Sequence, residues 1–303
     1  MGTFKFNSDF IYTRNFWPGE DLTKKFLLSL IANTKKTGDK VILTSVFSKK
    51  PSLAEKVRKS IKFRLFGLSD TEYVQKRSYG IEKPVTGKNI KNVWYTGENR
   101  RLPSDDGWDA FLSFELDRSF SKNIYLPIWV TRLGQDIEEV QSRIEKMVLI
   151  REPRISKTKF ACAFVGNPEP KRMMFIKEFS KYFKIDLFGS AFNNPIEDKS
   201  KILDEYRFNI CFENDLYPGY VTEKAFESWE SEAIPIWWGL DEAKFLNPNS
   251  LIDVTILGFD RAIGEVRKIA SSEEKMYSLR SQPILLKRYD LINLVDKLKE
   301  LLH

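Results

Sequence analysis

The residues best suited to chemistry gather in one stretch, Arg207–Asp253, which reads RFNICFENDLYPGYVTEKAFESWESEAIPIWWGLDEAKFLNPNSLID. Glu213 and Asn214 stand directly after the apolar run FNICF, and Thr222-Glu223-Lys224 stand where a helical pattern opens. The stretch reads as strand, polar loop, helix, strand and loop. In open α/β sheets, a loop at the carboxyl end of a strand is where ligands sit. The Lys224 ammonium and the unpaired N–H groups of a helix start suit a phosphate. The same residues also suit a plain structural role, with Thr222 capping the helix and Glu223 opposing its dipole. Residue types alone leave both readings open.

What is missing narrows the chemistry further. The chain's one histidine, His303, is its last residue, which argues against a histidine-based triad, metal site or acid–base pair. Cys162 and Cys211 lie in the apolar runs FACAF and FNICF, outside any Cys-x-x-Cys spacing, and are expected to be buried free thiols in a reducing compartment. There is no Gly-x-Gly, no phosphate-binding G-x-x-x-x-G-K-[ST] and no Asp-x-Asp. Any nucleotide phosphates are therefore expected to be neutralised by Lys, Arg and backbone amides, with no metal site and no cofactor.

The elements that must position these residues form a clear alternation. Strand patterns at Phe160–Val165, Ile185–Phe188, Phe208–Phe212 and Ile234–Trp238 are separated by helical patterns at Pro170–Phe183, Asp198–Tyr206 and Thr222–Trp229. Such alternation predicts a parallel sheet covered by helices. Before it, Leu22–Ile31 and Asp136–Leu149 read as helices, and Val41–Phe47, Asn92–Tyr95 and Ala110–Phe114 as strands. The charged, proline-containing segment Arg151–Lys159 reads as a linker. The expected organisation is an N-terminal α/β domain at 1–152, a second α/β domain at 153–275 and a helical tail at 276–303. In the tail, Leu291, Val295, Leu298 and Leu302 fall on one helical face.

At 303 residues the chain is long enough for about two domains, and its 14% aromatic content argues for packed cores rather than disorder. Its net charge of +7 suits anionic small molecules, an acidic membrane surface or nucleic acid without choosing among them. A basic run, Lys49–Arg64, has no aromatic-rich binding module beside it, so nucleic acid is not expected as a partner. No apolar run is long enough to span a membrane and the N-terminus carries no signal-peptide stretch. A cytoplasmic protein is expected, with peripheral contact to an anionic inner membrane through Lys49–Arg64 and the tail Ile284–Leu302.

FEN, a short spacer, YVTEK, a helix and then IPIWWG together resemble the signature of the α-1,3-fucosyltransferases, glycosyltransferase family 10, in its bacterial form. NVWYTGENRR at Asn92–Arg101 is similar to that family's YTGEN segment. DAFLSFELDRSFSKNIYLPIW at Asp109–Trp129 and VGNPEPKRMMFIKEFSKYFKIDLFGS at Val165–Ser190 resemble the blocks that follow it in order. The resemblance covers residues 92–255; before that only Phe16-Trp17 is similar.

The resemblance implies a GT-B fold, with two Rossmann-like domains facing a cleft and a C-terminal helix crossing between them. It also implies transfer of L-fucose from GDP-β-L-fucose to a sugar hydroxyl, with inversion. In that reading Glu98 is the general base, and Trp94, Tyr95 and Trp17 raise its pKa by desolvation. Glu115 and Asp117 are the replacements if Glu98 is not the base. Lys224 and Arg172 match family residues on the donor phosphates, Glu223 the residue on the ribose, and Asn214 and Tyr220 residues lining the donor site. Residues 1–152 then serve the acceptor and 153–275 the GDP-sugar. The expected acceptor is the 3-hydroxyl of N-acetylglucosamine in an oligosaccharide such as a lipopolysaccharide O-antigen. Rival readings are a transferase of the same fold with another GDP-sugar or acceptor, and a non-catalytic basic binding protein.

Overall fold

The computed structural model describes residues 4–5, 10–16, 21–46, 83–116, 119–153 and 156–303. Trp17, Asp117 and the basic run 49–64 lie outside them. The chain divides into two compact units, Met1–Val140 with Asp290–His303, and Gln141–Tyr289.

The first unit is built on a six-stranded sheet whose spatial order is its chain order. Its strands are β1 (Phe4–Lys5), β2 (Ile11–Arg14), β3 (Lys40–Ser45), β4 (Ile90–Tyr95), β5 (Ala110–Ser113) and β6 (Asn123–Tyr125). Only β1 runs antiparallel; β2 to β6 are parallel neighbours. Burial on both faces explains the apolar run Ala110, Phe111 and Leu112 of β5, whose four residues are all buried. Helix α1 (Asp21–Thr34) follows β2, and α9 (Leu291–Leu302), near the end of the chain, packs against α1, β5 and β6. The buried face of α9 is Leu291, Leu294, Leu298 and Leu302. Val295, expected on that face, is only half-buried, because Leu294 lies closer to the centre of the stripe.

The second unit begins within α2 (Ile137–Met147). Its sheet has β7 (Lys159–Phe164), β8 (Ile185–Phe188), β9 (Tyr206–Ile210), β10 (Ile234–Trp237) and β11 (Ile252–Asp253). The spatial order is β11-β10-β9-β7-β8, all parallel. The linking helices are α3 (Pro170–Phe179), α4 (Lys199–Leu203) and α5 (Lys224–Glu230). After β11 come α6 (Val254–Leu257) and α7 (Phe259–Ala270), which the sequence pattern does not predict, and α8 (Glu273–Ser281), which overlaps the start of the expected helical tail.

Alternation along β7 divides this unit's core. Ala161, Ala163 and Val165 join Phe175 and Phe179 of α3, Ile263 and Val266 of α7 and Met276 of α8. Cys162 faces the other way, with Leu203, Tyr206 and Ala233. Both cysteines are free and buried, and burial pushes the Cys162 thiol pKa upward and that of Cys211 up to about 12.

Two expected helices are shorter than their apolar patterns. The first ends at Phe179 rather than Phe183, whose ring stacks on Phe160 of β7 at 4.8 Å instead of continuing a helix face. In the tail, Ile284 and Leu285 are buried, but Leu285 pairs with Leu246 in an isolated antiparallel bridge rather than in a helix. In both places a side chain is apolar because of a contact distant in sequence, which periodicity reads as helix.

Candidate functional site

In the second unit, the chain leaves β7 to one side for β8 and returns on the other for β9, so strand order reverses between β7 and β9. The carboxyl ends of such a pair are where open α/β sheets bind ligands. Arg172, in the first turn of α3 and only 4% exposed, spans that point. Its Nη1 donates to the Asn167 carbonyl at 2.9 Å, in the loop after β7. Its Nη2 donates to the Phe212 carbonyl at 2.6 Å and to Asn214 Oδ1 at 2.9 Å, in the loop after β9. Burial draws the Arg172 pKa down, an effect that the charges of Glu213 and Glu169 oppose. Arg172 and Asn214, predicted separately as donor-site residues, are thus bonded to each other.

The second half of the site centres on Glu213. Its Oε1 accepts from the Thr222 backbone N–H at 2.9 Å and from Trp237 Nε1 at 3.4 Å. Its Oε2 accepts from Thr222 Oγ1 at 2.6 Å and from Lys224 Nζ at 3.2 Å. Lys224 Nζ also donates to Thr222 Oγ1 at 2.7 Å and lies 3.7 Å from Glu223 Oε1. Burial alone would lower the Lys224 pKa; the Glu213 and then the Glu223 carboxylates outweigh it, and the net shift is upward. The ammonium has three N–H groups and two hydrogen-bond partners among the described residues, and 22% of its side chain is exposed, so one donor can serve a ligand.

This geometry corrects the capping alternative for Thr222. Helix α5 starts at Lys224, its N-cap residue is Glu223, and no side-chain cap bond is made. Thr222 instead spends its hydroxyl on Glu213. Tyr220, in the loop between Asn214 and Thr222, is 2% exposed.

Sequence reasoning left the role of Glu213 open and read Trp237 as part of a strand floor. The available signal was position: an ionisable residue directly after the mostly apolar run Phe208–Phe212 is set to be buried, and a buried carboxylate requires donors. Gly239 belongs to the same cluster. A Cβ there would collide with the Trp237 ring and approach Glu213 Cγ to 2.9 Å.

In the first unit, Glu98 and Glu115 follow the carboxyl ends of adjacent strands, β4 and β5. Glu98 is exposed, in a turn where the Arg100 N–H donates to its carbonyl at 2.6 Å. The rings of Trp94 and Tyr95, expected beside Glu98, are both buried in the core. Trp94 packs edge-on to Trp108 at 5.1 Å and bonds Thr96 Oγ1 at 3.0 Å, while Tyr95 OH shares a hydrogen bond of 3.0 Å with Thr131 Oγ1. Trp17 lies outside the described residues, but Phe16 stacks on Tyr95 at 6.3 Å. Glu115 is 7% exposed, against the open position of Glu98. Arg100 also ties this turn to the Val46 carbonyl beyond β3, at 2.5 Å.

Among the described residues no group of three or more His, Cys, Asp or Glu side chains could hold a metal ion, and no helix is long and apolar enough to cross a membrane.

Comparison with known proteins bears on the second unit most directly. Residues 155–278 match the family model described as glycosyltransferase family 10 (fucosyltransferase) C-term. The chain is 29% identical over 218 residues to the alpha-(1,3)-fucosyltransferase FucT of Helicobacter pylori, covering 61% of this chain and 45% of that protein. It is 28% identical over 129 residues to human 4-galactosyl-N-acetylglucosaminide 3-alpha-L-fucosyltransferase 9, covering 40% of this chain and 36% of that protein. It therefore spans less than half the length of these curated relatives. A crystal structure of an alpha1,3-fucosyltransferase with GDP-fucose matches with a TM-score of 0.64 at 19% identity, covering 97% of this chain and 90% of that one. The two parallel-sheet α/β units share that protein's GT-B fold.

Proposed function

From the family 10 glycosyltransferase (fucosyltransferase) domain carried at residues 155–278, we propose that this chain transfers L-fucose from GDP-β-L-fucose to a hydroxyl of an oligosaccharide acceptor, with inversion. The observation that carries the reading is the cationic cluster at the strand reversal, where Lys224 keeps a donor in hand and Arg172 fixes the loops after β7 and β9. A diphosphate leaving group develops negative charge as its bond to the anomeric carbon breaks, and fixed cations stabilise that charge. Lys224 and Arg172 neutralise the phosphates, Glu223 accepts from the ribose hydroxyls, and Asn214 and Tyr220 line the donor pocket. A divalent metal is not required in this reading, because lysine and arginine supply the charge.

Glu98 is the general base. The acceptor oxygen forms its bond to the anomeric carbon on the face opposite the leaving GDP, and Glu98 takes the acceptor proton. Glu98 is an exposed residue just beyond the carboxyl end of β4, which is compatible with this role. The acceptor is the 3-hydroxyl of N-acetylglucosamine in a surface glycan such as O-antigen, a reading supported by the acceptor that the human relative's name specifies. The protein works in the cytoplasm and touches an anionic membrane peripherally through its basic run 49–64.

Calorimetry with GDP-fucose in excess chelator, followed by an acceptor screen with the linkage read by NMR, tests the proposal. Binding that survives chelation, and a fucosylated product with inverted configuration, are expected. Complete loss of binding in chelator overturns the metal-free reading, and preferred turnover of another GDP-sugar overturns the donor.

A further inference from the structure

The carboxylate of Glu213 has no exposed surface; its side chain is 0% accessible. A carboxylate offers about four lone-pair positions, and four donors fill them: Thr222 N, Thr222 Oγ1, Trp237 Nε1 and Lys224 Nζ. No acceptor capacity remains for a substrate, so Glu213 is not a ligand-contacting group. Its own backbone N–H is committed to the Trp238 carbonyl at 2.8 Å, and Gly239 lies against its Cγ, which leaves the side chain no room to turn. A charge this deeply buried is costly unless a cation shares it, and Lys224 is the cation it touches.

We propose that Glu213 is a positioning residue for Lys224: its buried carboxylate keeps the ammonium charged and holds it, through Thr222, at a fixed point where a nucleoside diphosphate meets it. The inference rests on reading this cluster as the donor site. A purely structural alternative exists, in which Glu213 only pins the loop after β9 to the start of α5. The two differ in what removal of the negative charge does to Lys224. The groups acting on that ammonium are Glu213 and Tyr220 from the loop after β9, Glu223 beside it and Arg172 from α3. Without Glu213, burial and Arg172 both favour the neutral amine, and Glu223 at 3.7 Å is the nearest remaining carboxylate.

The test is GDP affinity by calorimetry from pH 6.5 to 9.5 for the wild type, Glu213→Gln, Lys224→Ala and the double variant. The wild type should bind with little dependence on pH. Glu213→Gln should lose roughly tenfold or more in affinity as pH rises, as expected when a charge-assisted contact fades. Lys224→Ala should be weak at every pH, and adding Glu213→Gln to it should cost nothing more. A folded Glu213→Gln protein with the wild-type pH profile, or a double variant weaker by the sum of the single losses, overturns the proposal in favour of the structural role. Failure of the wild type itself to bind GDP overturns the donor-site reading instead.

A measurement on the wild-type side chain covers the case in which Glu213→Gln does not fold. After reductive methylation with labelled carbon, the Lys224 resonance, assigned by its absence in Lys224→Arg, should titrate above the ordinary lysine value. Titration below that value overturns the proposal.

Discussion

Glu98 and Lys224 divide the proposed reaction between proton removal and charge neutralisation, and they lie in different units of the chain. Their substitutions should therefore fail differently. Glu98→Gln keeps the shape but cannot take a proton, and loss of a general base costs ~10²–10⁴-fold in rate. The loss should fall on kcat, with GDP-fucose affinity nearly unchanged, because the base contributes in the transition state. A folded Glu98→Gln enzyme with near-normal turnover moves the role to Glu115, which is buried where Glu98 is open. Lys224→Ala removes a charge-assisted contact worth about 1.5–3 kcal/mol, so GDP should bind roughly ten- to a hundredfold more weakly. An unchanged Kd would put the phosphates elsewhere. Lys224 was legible as a cation at a helix start, but its true partner was not. Glu223 is adjacent in sequence, yet the closer carboxylate is Glu213, 11 residues away, because the loop after β9 returns the chain to Glu213 at Thr222 and Lys224.

Elements of the second unit are tied together at the opposite, amino-terminal ends of the strands by another buried cation. Lys157 is 7% exposed and its Nζ donates to the carbonyls of Leu203 at 3.3 Å, Asp204 at 3.0 Å and Ser231. Within the expected linker Arg151–Lys159, Lys157 is therefore anchored at the entries to β9 and β10. Arg151, earlier in the same segment, lies 3.8 Å over the Trp229 ring. Burial, with help from Arg280, lowers the Lys157 pKa from 10.5 to about 8. Between those values the unfolded chain holds more protons than the folded one, so this group makes stability rise with pH across the window. Lys157→Met removes the titration. The stability of the wild type relative to that variant, read by urea unfolding, should rise by about 3 kcal/mol at most from pH 8 to 10.5. A difference that stays flat over the window refutes the shifted lysine.

The molecule as a whole is not two consecutive halves. Residues 290–303 return to the first unit, where α9 buries four leucines and the His303 ring meets the Thr34 carbonyl at 3.1 Å. Each buried leucine contributes about 1.5–3 kcal/mol, so ending the chain at Tyr289 should destabilise the N-terminal sheet selectively. Hydrogen exchange should show β3 to β5 losing protection while β7, β9 and β10 keep theirs. Equal loss in both sheets would mean that the two units do not fold as separate cores.

Contiguous residues were enough to reveal β7 to β10 and the helices α3 to α5 between them, because each element's period and composition are local properties. The phrase from Phe212 to Lys224 was likewise readable as a polar loop between a strand and a helix start, because that too is a matter of local composition. The lone terminal histidine and the buried character of the two cysteines were plain from composition and context. Other features depend on pairs far apart in the chain. Arg172 reaches a carbonyl 40 residues on only because strand order reverses between β7 and β9. Phe183, Ile284 and Leu285 are apolar for contacts that imitate a helical period without forming a helix. Whether a carboxylate is a ligand group, as proposed for Glu223, or a buried anchor, as Glu213 is, turns on which one the sheet covers, and that is decided only when the loops close over the strand ends.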